Sequence, residues 1–212
     1  MILECFPLGP VETNGILLAS EKTKEAVAID VPSGGAACFA RRVRELSLEP
    51  VLILLTHSHW DHIVDAAALK RLWGVPLWVH AEDAGNVEAP GSDGLPLWQP
   101  IEGVRPDGLL EDGQVIAIGE LSLRVIHTPG HTPGCVCFYV ESEKVLISGD
   151  TLFRGTIGRV NLPTARPEKM WESLKRLAQL PPDTRVVPGH GEETTIGAES
   201  WLDRAKERFG GG

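Results

Sequence analysis

Apolar positions along this chain come in short runs broken by turn residues. Ile2–Phe6 and Gly15–Ala19 read as strands separated by the turn signal Gly9-Pro10, and Glu25–Asp30 reads as a third. Val51–Leu55 is a continuous apolar run, the mark of a strand buried on both faces, and Pro76–Val79 is another. Gln114–Ile118 and Leu121–His127 pair as a hairpin about Gly119-Glu120, and Cys135–Val140 and Lys144–Ser148 as a second. Arg185–Pro188 is one more short strand. Helical periodicity covers Ala36–Leu46, Ile63–Trp73 closed by Gly74, Pro167–Leu180 with proline in its first turn, and a terminal segment Ile196–Phe209. Between Glu88 and Asp107 the chain is rich in Pro and Gly and has no period, which predicts a long loop acting as a lid or interface element. Hairpins mixed with helices predict an α+β fold, with two mixed sheets face to face and helices outside. No repeat or interdomain linker divides residues 1–212, which read as a single domain.

Composition narrows the function classes. A net charge of −9 argues against nucleic-acid and anionic-membrane partners, which need basic surface. It leaves room for an anionic small molecule, because a metal centre supplies positive charge locally. No apolar run reaches the length of a membrane span, and the N-terminus has no signal-peptide pattern, so a cytoplasmic protein is expected. Cys5, Cys38, Cys135 and Cys137 lack zinc-ribbon spacing and read as small buried hydrophobes.

The chemistry concentrates in Thr56-His57-Ser58-His59-Trp60-Asp61-His62, directly after the buried strand Val51–Leu55. Imidazoles and carboxylates suit zinc and non-haem iron. In an extended segment His57 and His59 point to one side; a turn into the following helix swings Asp61 and His62 toward a second point. Asp61 would then lie near a helix N-terminus, which favours its charge. His131, Asp150 and His190 each follow an apolar strand and sit beside glycines, so all seven side chains converge if those strand ends share one edge. His80 and His127 have no motif around them and read as structural.

These residues resemble a known pattern. Thr56 to His62 is similar to the T-H-x-H-x-D-H signature of the metallo-β-lactamase superfamily. Gly130-His131-Thr132, Ser148-Gly149-Asp150-Thr151-Leu152-Phe153 and Pro188-Gly189-His190-Gly191 resemble its later motifs in order. Within it, Gly149 to Phe153 followed by Gly158-Arg159 looks most like glyoxalase II, the hydroxyacylglutathione hydrolases, in a short single-domain form. The resemblance implies a four-layer αβ/βα sandwich and two divalent metal ions, zinc and/or iron. His57, His59 and His131 would hold one, Asp61, His62 and His190 the other, with Asp150 bridging. A metal pair of this kind sits roughly 3.5–4 Å apart and supplies a hydroxide nucleophile at neutral pH. Asp61 is the candidate to orient that hydroxide or relay its proton.

The implied activity is hydrolysis of a thioester such as S-lactoylglutathione, an anionic small molecule. Arg159 and Asn161 are the candidate substrate-binding residues; Asn161 stands where the family usually has tyrosine. The helical C-terminal domain with which classical glyoxalase II binds glutathione has no counterpart before Gly212. An iron-dependent persulfide dioxygenase and a lactonase share the same ligand motifs and stand as alternatives. A nuclease would need a basic face, and a structural zinc site would be sulfur-rich and closed. Trp98, in the loop 88–107, is expected to form a wall of the pocket, a homo-oligomer contact or simple packing.

Overall fold

The computed structural model describes residues 1–210. One six-stranded sheet comprises β1 (Ile2–Leu8), β2 (Thr13–Ala19), β3 (Glu25–Ile29), β4 (Glu49–Leu54), β5 (Leu77–His80) and β6 (Gly108–Leu110), in that order. The first two pairings are antiparallel and the last three parallel. The second half contributes β7 (Val115–Ile118), β8 (Leu121–His127), β9 (Val136–Val140), β10 (Val145–Gly149), the small hairpin β11 (Leu152–Phe153) and β12 (Thr156–Ile157), then β13 (Arg185–Pro188) and β14 (Thr194–Thr195). Its six-stranded sheet runs β14-β13-β10-β9-β8-β7.

Three apolar layers hold the sandwich together. Strands β2 to β4 alternate across their sheet: Ile16, Leu18, Val27, Ile29, Leu52 and Leu54 face the other sheet. Leu17, Ala19, Ala26, Ala28 and Ile53 face helices α1 (Gly35–Leu46) and α3 (Ala66–Trp73). Period-two alternation on a sheet covered on both sides explains why these strands read as unbroken apolar runs. Alanines on the helix side let α1 and α3 come close. The second sheet repeats the scheme. Val136, Phe138 and Val140 point inward, while Cys137 and Tyr139 meet the outer helix α5 (Pro167–Leu177) through Met170, Trp171 and Leu174. The result is the expected helix–sheet–sheet–helix order.

Several expected boundaries differ. The helix expected over 63–73 is two pieces, α2 (Trp60–Ile63) and α3, parted at Val64 and Asp65. The Asp65 carboxylate accepts from the backbone N–H groups of Gly34 and Ala36, so the break ties the ligand-bearing turn to the start of α1. Helix α4 (Ala81–Glu88), absent from the sequence reading, precedes the long loop, and the His80 side chain caps it by accepting from Glu82 N–H. Gly85 and Asn86 mask its helical pattern. The terminal helix expected over 196–209 is broken into two 3-10 turns and the short α6 (Ala205–Phe209). Gly197 donates to Pro182 O rather than continuing a helix.

Topology delivers the chemistry to one edge. Strands β8 and β10 are both antiparallel to β9, hence parallel to each other, and β10 is parallel to β13. Their C-terminal ends therefore lie together, next to His131, Asp150 and His190. In the first sheet β3 and β4 are parallel and end beside Asp30 and the Thr56–His62 segment.

Candidate metal centre

The seven residues singled out in the sequence converge into two triads sharing a carboxylate. In the first, His57, His59 and His131 place ring nitrogens within 4.8 Å of one another, and in the second Asp61, His62 and His190 do the same with an oxygen and two nitrogens. Nδ1 of His59 lies 2.7 Å from Nε2 of His131. Nε2 of His62 lies 3.3 Å from Nε2 of His190. Asp150 reaches both sets: Oδ2 is 3.3 Å from His131 Nε2, and Oδ1 is 3.4 Å from His62 Nε2.

Local backbone explains how Asp150 gets there. The β10–β13 register slips between Ile147 and Gly149, and Gly149 takes a φ of 49°, which turns the chain inward. Gly189 is the other fixed glycine: a Cβ there would stand 2.1 Å from Asp150 Oδ1. Asp61 lies in the first turn of α2, where the helix dipole favours its charge.

The donor set fits divalent metal ions. Nε2 of His57 and Oδ1 of Asp150 are buried without any hydrogen-bond partner, which is costly unless a cation is there to meet them. Four of the five imidazoles have the remaining nitrogen anchored, as metal-ligating histidines do. His57 Nδ1 donates to Thr56 Oγ1 at 3.0 Å, His62 Nδ1 to Asp30 Oδ2 at 2.8 Å, His131 Nδ1 to Arg159 O at 2.8 Å, and His190 Nδ1 to Val11 O at 3.1 Å. Burial, reinforced by the surrounding imidazoles, holds His57 well below its ordinary pKa, and burial and His131 bring His59 down to about 3. Both rings are thus neutral, as ligands must be. Burial opposes the charge of Asp150 and Asp61. The neighbouring histidines outweigh it, holding Asp150 at about 2 and Asp61 well below the carboxylate range. Burial likewise disfavours a charged His62, yet Asp61, Asp150 and Asp30 raise its pKa well above the ordinary value. That negative field favours a cation at the second triad.

Several supporting residues were not visible in the sequence. The Asp30 carboxylate orients both triads: it accepts from His62 directly, and from the hydroxyl of Thr56, which holds His57. Thr13 Oγ1 donates to Asp61 Oδ2 at 2.7 Å. Asn14 Nδ2 donates to Pro188 O and Gly191 O, clamping the His190 turn to β2. Buried Asp83, on α4, accepts from Ser58 N–H, Thr132 Oγ1 and Gly134 N–H, and so locks the turns carrying His59 and His131 together. Burial raises the Asp83 pKa, and these bonds partly offset the rise. Only a polar residue ending an apolar strand, as Asp30 does, offered a signal.

The triads open into a cleft of about 340 Å³. Arg159 and Trp98 line it. Trp98 stacks on Trp60 with ring centroids 5.7 Å apart. Asn161, two positions after the cleft-lining Arg159 in the chain, accepts from its Nε at 3.3 Å. His80 and His127 lie outside both triads, their rings stacked at 4.0 Å, and His127 Nε2 donates to Pro133 O. The four cysteines are unpaired, with Cys135 and Cys137 buried.

Comparison with known proteins agrees with this geometry. The model of the metallo-beta-lactamase superfamily matches residues 11–190. The chain belongs to that superfamily. It is 34% identical over 206 residues to the hydroxyacylglutathione hydrolase GloC of Haemophilus influenzae, covering 94% of this chain and 95% of that protein. The structure superimposes on the B3 metallo-beta-lactamase BLEG-1 with a TM-score of 0.86 at 37% identity, over 93% of this chain and 96% of that one. It also superimposes on TTHA1623, solved in a di-iron-bound form, with a TM-score of 0.78 at 38% identity, over 94% and 98% of the two chains. The fold of this superfamily member is accordingly the metallo-β-lactamase sandwich. No helix among the described residues is long and apolar enough to cross a membrane.

Proposed function

We propose that the protein is a binuclear metallohydrolase that cleaves thioesters, with S-lactoylglutathione as the reference substrate. The observation that carries this reading is Asp150, whose carboxylate lies between the triads, 3.3 Å from His131, 3.4 Å from His62 and 3.6 Å from His190. His57, His59 and His131 would hold one metal ion, Asp61, His62 and His190 the other, and Asp150 both. Bound there, two divalent cations, zinc or iron, supply a water-derived nucleophile at neutral pH and polarise a carbonyl. The chain's own groups do the rest. Thr13 and His190 fix the Asp61 carboxylate at the rim of the cleft, where it can orient a nucleophile and accept its proton. Arg159 offers a cation to an anionic substrate. No Lys, Tyr, Cys or Glu side chain lines the cleft to protonate a poor leaving group. A thiolate departs without a proton, so a thioester suits this site better than an amide. Similarity to GloC, a hydroxyacylglutathione hydrolase, supports the same chemistry.

The test is metal analysis of the purified protein combined with a thiol-release assay on S-lactoylglutathione. About two metal ions per chain with thiol release is expected. One iron per chain, no thiol release and oxygen uptake with glutathione persulfide would replace this reading with the dioxygenase. Turnover of a lactone without thioester cleavage would replace it with the lactonase.

A further inference from the structure

The cleft beside the two triads has an uneven wall. Trp60, Trp98, Leu95, Pro96, Leu162 and Val11 give it apolar surface. Trp98 is 69% exposed, and its indole lies within 13° of parallel to that of Trp60. A large exposed aromatic held by stacking at the mouth of a polar centre is an unfavourable use of surface unless something covers it. Arg159 is the sole permanent cation among the lining residues. Neighbouring arginines are consumed by ion pairs, Arg154 with Glu192 and Arg166 with Glu82. Arg159 instead makes one bond to the neutral Asn161 amide, which leaves its charge for a ligand. Its backbone is fixed as well, since its carbonyl accepts from His131 Nδ1. The Arg159 backbone is thereby tied to the first triad, while Trp60 sits between the candidate ligands His59 and Asp61 in the chain.

We infer that the preferred substrate is a thioester with a single carboxylate and a bulky apolar, flat acyl group, rather than a glutathione thioester of a small hydroxy acid. One cation matches one carboxylate. Glutathione carries two carboxylates and an ammonium, and this cleft offers no second permanent cation and no acidic side chain apart from the candidate ligands Asp61 and Asp150. A hydroxyacyl group as small as lactoyl leaves the Trp60–Trp98 wall uncovered, whereas an aryl acyl group covers it. Hydrophobic burial and ring–ring contact there add to binding. The inference rests on the thioester-hydrolase reading and names the substrate class for the same site.

The probes are S-phenylacetylthioglycolate and S-lactoylglutathione, compared on the metal-replete enzyme, together with calorimetric binding of the non-hydrolysable thioether S-benzylthioglycolate. The aryl thioester is expected to have the higher kcat/KM by about tenfold or more. Trp98→Ala should erase most of that advantage through KM, and Trp98→Phe, which keeps an aromatic face, should retain it. Arg159→Ala should raise KM for the aryl thioester about tenfold with a smaller change in kcat. A ratio at or below one, or a ratio indifferent to Trp98→Ala, overturns the inference while leaving thioester hydrolysis intact. If neither thioester is cleaved, the hydrolase reading fails and calorimetry decides the substrate class. Binding of the thioether that weakens in Trp98→Ala and Arg159→Ala supports the class, and no binding overturns it.

Discussion

The two triads use the same edge of the sandwich but different electrostatics. His57, His59 and His131 are all buried, and the first two are held neutral by burial. Asp61, His62 and His190 sit in a field of carboxylates, and the His190 side chain is 28% exposed. The first triad brings three buried imidazoles against one another, so it is built as packing. The second relies on negative charge drawn toward a cation, so it depends on groups that place charge: Asp30 beneath His62, Thr13 beside Asp61, and Asp150 shared with the first triad. In metal sites of this donor chemistry the groups outside the ligand set orient the ligands and tune them. Here those outer groups divide unevenly between the halves, which makes the two separable by experiment.

The largest effect is expected from His59→Ala, which removes a neutral ligand from the first triad. Hydrolysis should fall by more than the ~100-fold typical of changes outside the ligand set. Metal content should drop with it, and circular dichroism should show the fold retained. Full activity in that variant would sink the site assignment. Next comes Gly189→Ala. The new Cβ would overlap Asp150 Oδ1, so the shared carboxylate must move and both halves should suffer. A displacement of that size is expected to cost about 100-fold in turnover. Unchanged turnover would show that Asp150 has room the structure does not give it. Asp30→Asn should weaken metal affinity by about 30-fold, within the usual range for an orienting carboxylate. Because Asp30 reaches His62 directly and His57 through Thr56, a chelator titration should show both metals loosened together. Loss confined to one metal would mean that the Thr56 link carries nothing.

Much of this arrangement was legible in the sequence because it is written in local patterns. Val51–Leu55 reads as a doubly buried strand since the two layers it faces are both apolar, and the ligands follow strand ends because parallel strands deliver their C-termini to one edge. The candidate ligands are legible for the same reason: all seven are histidines or aspartates in short motifs flanked by glycine or a strand end. Asp30, Asp83 and Thr13 were not legible, because each acts across the fold. Asp83 joins Ser58 to Thr132 and Gly134, residues far apart in the chain, and nothing around it in α4 announces that. The break between α2 and α3 was hidden likewise. Apolar periodicity continues past Val64 and Asp65, and the interruption comes from across the fold: the Asp65 carboxylate meets Gly34 and Ala36, and the backbones of His62 and Asp65 bond to Val31. The bond from Arg159 to Asn161 was not legible either, because a motif position does not say which way its side chain turns.

Thr13→Val should give the smallest effect and the sharpest separation of the halves. The hydroxyl donates to Asp61 Oδ2, the oxygen that also lies 3.2 Å from His190 Nε2. Valine at this buried position puts a methyl where the threonine hydroxyl donates, so the side chain's hydrogen bond to Asp61 is lost. Asp61 then loses one of the interactions that lower its pKa and hold its orientation, while Asp30, Thr56 and the first triad are untouched. The expected result is about a tenfold loss of affinity for one metal ion and no change for the other. A chelator titration followed by metal analysis at each step reads this directly, as a two-step release whose weaker step alone moves. Equal weakening of both steps would mean that the triads are coupled through Asp150 strongly enough to behave as one site, and the division between a packed half and a charged half would then be wrong.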